Sequence, residues 1–159
     1  MKTKLLRKIK MKNNRTAYEA ALHLLKYRDQ STYELRQKLK LRRYSEKEIE
    51  ECISKLAHYN YVNDDALSKK IFQDYKNRKI YGDKYIHEKM MSKGLATNQH
   101  LTYDDEVAAA MHVMQNKIKL IPGFKNNYKR AAALLSRRGF PVPVIRFILE
   151  KENSTLRTE

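Results

Sequence analysis

Apolar residues recur every three or four positions along most of this chain, and polar capping residues mark where the runs begin. Thr16, Ser31 and Ser45 are each followed by a glutamate three residues later. A hydroxyl and a carboxylate at this spacing can satisfy the free amide groups of a helix start. The pattern predicts three short helices, at about residues 16–28, 31–41 and 45–59.

Each predicted helix has one inward face. Helices of this length are marginal alone in water, so each face must be buried against the other two helices. The residues that share these faces are Ala17, Ala21, Leu24 and Arg28 in the first helix, Leu35 and Leu39 in the second, and Ile49, Ile53 and Leu56 in the third.

Two further groups of helices follow. In residues 63–101, one helix begins near Asn63-Asp64 and another after Gly82-Asp83, while residues 97–101 hold the place of a third helix that is short or degenerate. In residues 102–152, three helices are expected, after Thr102, from Tyr128, and after Pro141. Their inward faces are Leu67, Ile71 and Tyr75; Ile86 and Met90; Val107, Met111, Met114 and Ile118; Ala131 and Leu135; and Ile145, Ile148 and Leu149.

The three groups align as an internal repeat. Leu39, Met90 and Leu135 occupy the same position, with a bulky apolar residue five places later and a basic residue three places later. Offsets of this size are typical of tandem three-helix repeats, which stack into elongated, curved arrays. The sequence therefore predicts an all-α fold of three repeats (16–62, 63–101 and 102–152) between a basic N-terminal tail (1–15) and a C-terminal tail (153–159).

The amino-acid composition is also typical of a helical protein, and the net charge is strongly positive. Only four glycines and three prolines interrupt the chain, and 34 basic residues against 18 acidic ones give a net charge of +16. A field of this sign attracts polyanions such as nucleic acid, an anionic membrane or an acidic assembly. One cysteine, no signal-peptide pattern and no apolar run of spanning length favour a cytoplasmic protein.

Residues for catalysis or metal binding do not form a recognisable pattern. No two of the five histidines stand four residues apart beside a carboxylate, and the glycines are isolated. Cys52 lies at the edge of an apolar stripe, where cysteine is usually a packing residue. Asn63, Asp64 and Asp65 are explained as helix-capping residues. We expect no catalytic residue, no metal site and no cofactor, and hence no enzyme.

Basic residues cluster on two of the predicted helices. No acid lies between Arg36 and Arg43, where Arg36, Lys40 and Arg43 are spaced to form one outward row, and a second cluster lies in the third repeat. Like charges on one face destabilise a helix unless a partner of opposite charge binds there, although a merely solvated surface remains the alternative. The candidate partner- and phosphate-binding residues are Arg36, Lys38, Lys40, Arg42, Arg43, Arg78, Lys84, Lys93, Arg130, Arg137 and Arg138.

An ordered set of short motifs resembles the RecX family over about residues 16–150. The set begins with Tyr33-Glu34-Leu35-Arg36-Gln37-Lys38-Leu39 and Arg43-Tyr44-Ser45. It continues with Tyr61-Val62-Asn63-Asp64, Tyr75-Lys76-Asn77-Arg78-Lys79 and Lys93-Gly94-Leu95, and ends with Leu134-Leu135-Ser136-Arg137-Arg138-Gly139-Phe140. Arg43 stands where the first repeat of that family usually has glycine.

The resemblance implies a non-enzymatic regulator that lies along the RecA nucleoprotein filament, in contact with recombinase and with single- or double-stranded DNA. There it would suppress strand exchange, ATP hydrolysis and co-protease activity, and so restrain recombination, repair and the SOS response. We expect a monomer without a membrane partner. The alternative is a sequence-nonspecific DNA-binding protein with helix-turn-helix-like units, but its recognition helices would begin at the acidic Ser45-Glu46-Lys47-Glu48 and the apolar Pro141-Val142-Pro143.

Overall fold

The computed structural model describes residues 15–121 and 123–155, and the side chains of Lys125 and of residues 152–155 are outside this description. Most of the predicted N-terminal tail and the last four residues therefore lie outside the described residues. Within the described part the chain is all-helical, as predicted, and it divides after Asp64 into two compact units, the first and the second unit. None of the described helices is both long enough and apolar enough to cross a membrane.

The first unit contains α1 (Ala17–Leu25), α2 (Thr32–Leu41) and α3 (Glu46–His58). All three predicted capping boxes are present: the hydroxyl groups of Thr16, Ser31 and Ser45 each accept a hydrogen bond from the backbone N–H of the glutamate three residues later, and the glutamate side chain accepts one in return. The predicted starts were thus correct to within one residue, because a capping box is a local interaction.

The core of the first unit is built from the predicted faces. Leu35, Leu39, Ile49 and Leu56 are fully buried. Arg28 is an exception, because α1 ends at Leu25 and not at residue 28. The Gln30 side-chain amide donates to the Leu24 carbonyl oxygen at 2.8 Å, and the Arg28 guanidinium pairs with the Glu34 carboxylate at 2.8 Å, so Arg28 belongs to the turn.

The second unit contains α4 (Asp64–Arg78, whose first residue closes the first unit), α5 (Asp83–Met91) and α6 (Tyr103–Leu120). It ends with a short 3₁₀ turn (Phe124–Asn126), α7 (Tyr128–Arg137) and α8 (Val142–Thr155). No helix lies between Met91 and Tyr103. We name residues 92–102 the connector; it stands where the sequence left room for a third helix.

The inward face of α6 differs from the predicted one. Met114 is fully buried as expected, but its buried neighbours are Ala109, Ala110 and Val113, whereas Val107, Met111 and Ile118 pack only at the margin. On α8 the fully buried residues likewise begin with Val144, while Ile145 lies at the margin. The prediction took the large apolar side chains to be the buried ones. Small alanine side chains instead lie at the centre of the helix contact, because they let neighbouring helices approach closely.

The same turn ends the second helix of every repeat. In each turn a backbone N–H donates to the carbonyl oxygen five residues earlier: Tyr44 to Leu39, Leu95 to Met90, and Phe140 to Leu135. The residue directly before each of these donors has a positive φ. These are the hydrogen bonds of a Schellman motif, which favours glycine at the positive-φ position. Gly94 and Gly139 occupy that position with φ of 69° and 81°, and Arg43 occupies it with φ of 65°.

Candidate polyanion-binding surface

The Schellman turn after α2 presents two arginine side chains to solvent. Arg42 is the C-cap of the helix, with φ of −85° and ψ of 5°, and Arg43 follows in the left-handed region. Both are exposed, and neither side chain has a hydrogen-bond or ion-pair partner among the residues that the structure describes. Their backbone is fixed by hydrogen bonds while their guanidinium groups are available for a partner.

The structure places Arg36, Lys40 and Arg43 in different local surroundings, and their role in partner binding stays a prediction. The Arg36 guanidinium forms a two-pronged pair with the Glu50 carboxylate, and the Lys40 ammonium lies 3.1 Å from the Glu46 carboxylate. Arg43 lies beyond the end of α2, so helical spacing does not place it in the row. The acids come from α3, and a prediction from the charges within one helix could not include them.

Lys38 faces the turn between α1 and α2. Its ammonium group donates to the Gln30 side-chain carbonyl, and the same Gln30 side chain closes the end of α1. Gln30 is 3% exposed, so this bond holds a buried polar group. Lys38 therefore stabilises the first unit, and its part in partner binding stays a prediction.

In the second unit, α7 carries two arginines on its exposed side. Arg137 is exposed at the last turn and has no side-chain partner among the described residues, whereas the Arg130 guanidinium lies over the Phe124 ring, 5.8 Å from its centroid. Seven residues of helix separate them, or about 10 Å along the axis. Together they form a cationic strip beside the buried Ala131 and Leu135.

Arg138 has a structural role that the sequence reading missed. Its guanidinium donates to the Ile80 carbonyl oxygen at 3.2 Å and lies 5.3 Å from the centroid of the Tyr81 ring. Its own carbonyl oxygen accepts the Gly82 N–H at 2.8 Å. Arg138 thus joins the third repeat to the middle one, and only part of its charge faces solvent.

The remaining candidates lie on the middle repeat. Lys84 is exposed without a side-chain partner among the described residues, and Arg78 is exposed with its guanidinium 5.2 Å from the Tyr75 ring centroid. Lys93 is half-buried and already engaged. The candidates that keep a free, exposed charge are therefore Arg42, Arg43, Lys84 and Arg137.

Three tyrosines of the second unit pack against one another. The rings of Tyr81 and Tyr85 are stacked, with centroids 4.1 Å apart and planes at 3°, and Tyr75 meets both edge-on. Partial burial, followed by the hydrogen bond with Tyr81, raises the pKa of Tyr85, which keeps the phenol neutral. Because these rings already stack on one another, they serve mainly to support Arg138 and Arg78.

Cys52 and Asp64, which were not predicted to be catalytic or metal-binding residues, both have structural surroundings that explain them. Cys52 is 3% exposed in the core of the first unit, and burial raises the pKa of its thiol, which disfavours the reactive thiolate. The Asp64 carboxylate accepts hydrogen bonds from the backbone N–H of Thr32 at 2.9 Å and from the Thr32 hydroxyl at 2.6 Å. Asp64 thus holds the last residue of the first unit against the start of α2.

One cluster of possible metal ligands was not predicted from the sequence. Asp83, His87 and His100 bring one carboxylate and two imidazoles together, although the sequence reading expected no metal ligands among the histidines. Asp83 and His87 are four residues apart on one helix face, which is a signal that the sequence contains. His100 comes from the connector, whose path no periodic pattern predicts.

The chain is similar in sequence to regulatory proteins of one family. The family model described as "RecX, first three-helix domain" matches residues 17–56. The Regulatory protein RecX of Clostridioides difficile (strain 630) is 30% identical over 143 residues, which cover 85% of this chain and 67% of that protein. The Regulatory protein RecX of Bacillus velezensis is 28% identical over 145 residues, which cover 85% of this chain and 54% of that protein.

Solved structures share the fold. The crystal structure of RecX from Lactobacillus salivarius aligns with a TM-score of 0.68 at 23% identity, over 86% of this chain and 94% of that one. A second crystal structure, of a regulatory protein RecX, aligns with a TM-score of 0.70 at 19% identity, over 84% of this chain and 71% of that one. These likenesses confirm the helical repeats predicted from the sequence.

Proposed function

Because the chain belongs to the RecX family, we propose that it is a regulatory protein that binds the RecA nucleoprotein filament and restrains it without catalysing a reaction. It acts in the cytoplasm as a monomer. Binding suppresses strand exchange, ATP hydrolysis and co-protease activity, and so limits recombination, repair and the SOS response. The observation that carries the proposal is the sequence match to a regulatory protein RecX over 85% of the chain.

The charge of the chain supports a polyanionic partner. A net charge of +16 steers association with a phosphate-bearing filament, most strongly at low ionic strength. In the first unit Arg42 and Arg43 are exposed and unpaired among the described residues, and in the second unit so are Lys84 and Arg137. The planar guanidinium group of arginine can form two parallel hydrogen bonds to a phosphate or a carboxylate group, and both groups occur on a nucleoprotein filament.

The paired cations contribute in a second way. Exposed ion pairs are worth little, since each partner is nearly as stable in water. Arg36 and Lys40 can therefore exchange Glu50 and Glu46 for phosphates when the partner arrives. Their contribution to binding is smaller than that of Arg42 and Arg43, because the acids stay nearby and repel the incoming anion.

The proposal is tested by following RecA ATP hydrolysis on single-stranded DNA while the protein is added well below one copy per RecA. Strong inhibition at such ratios is expected, since one bound copy can affect many filament subunits. Replacing Arg42 and Arg43 together by glutamate is expected to weaken inhibition by about tenfold or more, from the loss of two charge-assisted contacts.

A matched control separates contact from overall charge. Lys26 and Lys47 are exposed cations of the first unit, and replacing both by glutamate changes the net charge by the same amount. If that variant loses as much inhibition as the Arg42/Arg43 variant, the surface assignment is wrong. If the wild-type chain binds bare duplex DNA with a steep salt dependence and leaves RecA unaffected, the DNA-binding alternative replaces the filament proposal.

A further inference from the structure

One carboxylate and two imidazoles converge where α5 begins. Asp83 is the first residue of α5, His87 lies one turn later on the same face, and His100 belongs to the connector. The possible ligand atoms of the three residues all lie within 4.8 Å of one another. Asp83 and His87 are half-buried and His100 is exposed, so an ion can reach the cluster from solvent.

The distances within the cluster are those of a ligand set. The Asp83 Oδ2 atom lies 2.8 Å from His100 Nδ1 and 3.4 Å from His87 Nε2. The two imidazole rings are nearly parallel, at 15° with centroids 4.6 Å apart. Each ring has a nitrogen near the same Asp83 oxygen. Tetrahedral zinc bonds of about 2.1 Å place neighbouring ligand atoms about 3.4 Å apart.

We propose that Asp83, His87 and His100 form a binding site for a divalent transition-metal ion of the Zn²⁺ class. Two imidazole nitrogens and one carboxylate oxygen suit Zn²⁺, Co²⁺ or Ni²⁺, whereas Mg²⁺ and Ca²⁺ prefer oxygen ligands alone. Three protein ligands leave one position of a tetrahedral ion for water or a fourth group. This proposal does not depend on filament binding, and its test does not use RecA.

The surrounding backbone holds the ligands in place. The second oxygen of Asp83, Oδ1, accepts the Leu101 N–H at 2.8 Å, so the carboxylate is fixed with Oδ2 toward the rings. His87 Nε2 lies 3.0 Å from the Gln99 carbonyl oxygen. Metal binding requires each imidazole to carry its proton on the other nitrogen; a neutral ring makes this shift without gaining or losing charge.

A buried acid of α6 fixes the backbone of Asp83. The Glu106 carboxylate accepts the Asp83 backbone N–H at 3.0 Å and is buried. This hydrogen bond holds the first residue of α5, and with it the Asp83 side chain, in position.

The site gives the ion a structural task in the middle repeat. His100 and the Leu101 amide come from the connector, which lacks the helix found at this place in the other repeats. Hydrogen bonds from the connector to Asp83 and His87 hold it against α5. Metal bonds in their place would fasten the connector more firmly, because an ion that binds only the folded state stabilises it.

The experiment titrates the full chain, without an affinity tag, with Zn²⁺ by calorimetry and with Co²⁺ by visible absorption. We expect one ion per chain, Co²⁺ bands typical of four- or five-coordination, and no competition by Mg²⁺. The melting temperature should rise by about 5 °C when free Zn²⁺ exceeds the Kd roughly 100-fold.

Two variants test the ligands. His100→Gln alters an exposed side chain, so the chain should fold, and Zn²⁺ affinity should fall by at least about 10–100-fold. His112→Gln, on α6, is the matched control and should bind Zn²⁺ as the wild type does. Absence of binding at micromolar Zn²⁺, or equal affinity in the His100→Gln and His112→Gln variants, would overturn the proposal.

Discussion

The backbone of Gly82 lies against the backbone of Gly139 so closely that a Cβ atom on Gly82 would overlap the Gly139 carbonyl group. A Cβ on Gly139 would in turn overlap the backbone of Tyr85. The Gly82 N–H donates to the Arg138 carbonyl oxygen at 2.8 Å across the same junction. The middle and third repeats thus meet through two glycines, where the start of α5 lies in backbone contact with the turn that follows α7.

Replacing Gly82 by alanine should destabilise the second unit by about 3 kcal/mol, because the new methyl group meets backbone atoms that have no rotamer to move to. Urea denaturation followed by circular dichroism measures the change. Gly123→Ala is the control: Gly123 has φ of 71° and open space around it, so only the conformational cost of about 1 kcal/mol applies. Equal losses in the two variants would show that close contact is not the cause.

Replacing Arg43 by glycine should stabilise the chain by about 0.5–1 kcal/mol. Arg43 has φ of 65°, a left-handed conformation that costs a residue with a side chain about 1–2 kcal/mol and glycine nothing. Part of this gain is lost, because glycine has more conformational entropy in the unfolded state. The equivalent positions of the other repeats are already glycine. Thermal unfolding measures the change.

Arg42→Gly is the control for Arg43→Gly. It removes the same charge one residue earlier, where φ is −85°, and should destabilise the chain. If both variants stabilise, the relief of charge repulsion explains the result instead of backbone strain. A strained arginine kept at this turn would fit a role for its side chain in binding.

Replacing Glu46 and Glu50 together by glutamine should strengthen binding to single-stranded DNA and to RecA filaments. The change releases Lys40 and Arg36, so the salt dependence of binding to single-stranded DNA should steepen by up to about 1.4 in log–log slope. Stability should change by less than about 1 kcal/mol per pair, since both pairs are exposed. Fluorescence anisotropy over a range of salt concentrations measures the slope.

The matched control for that pair is Glu51→Gln with Glu88→Gln. Both residues are exposed, and neither pairs with a cation among the described residues. The net charge rises by the same amount, so an equal gain in DNA affinity would assign the effect to the overall field and not to the release of Arg36 and Lys40.

Two adjacent acids on α6 have opposite pKa shifts. The hydrogen bond from Lys76, at 2.6 Å, holds the pKa of Asp105 below its ordinary value, and burial raises the pKa of Glu106. A lowered pKa adds stability that is present above the ordinary value and is lost as the pH falls through the folded-state value. A raised pKa adds stability that is present below the ordinary value and is lost as the pH rises through the folded-state value.

Glu106→Gln should therefore gain stability relative to the wild type as the pH rises from below the ordinary pKa of glutamate to above the raised one. Glutamine keeps the carbonyl oxygen that accepts the Asp83 N–H and carries no charge to bury. Asp105→Asn should show the opposite trend, losing stability at neutral pH and converging with the wild type in acid. Urea midpoints across the pH range measure both, and parallel curves for all three proteins would refute the two shifts.

Much of the fold could be predicted because its signals are local. The capping boxes at Thr16, Ser31 and Ser45 act within four residues, and the repeat register of Leu39, Met90 and Leu135 places the same turn three times. The end of α1 was less predictable, since Gln30 and Glu34 decide it from outside the helix. The inward face of α6 was wrong for a related reason: small residues pack at the centre, and their hydrophobicity is too weak to signal it.

By itself the sequence determined the all-helical repeats, the helix starts and the excess of positive charge, because these follow from neighbouring residues and from composition. Only the tertiary structure decided which charges are free. It paired Arg36 and Lys40 with acids of the next helix, placed Arg138 against Ile80, and left Arg42 and Arg137 exposed. It also brought His100 to Asp83 across 17 residues of chain, since the path of an irregular connector depends on packing and hydrogen bonds rather than on periodicity.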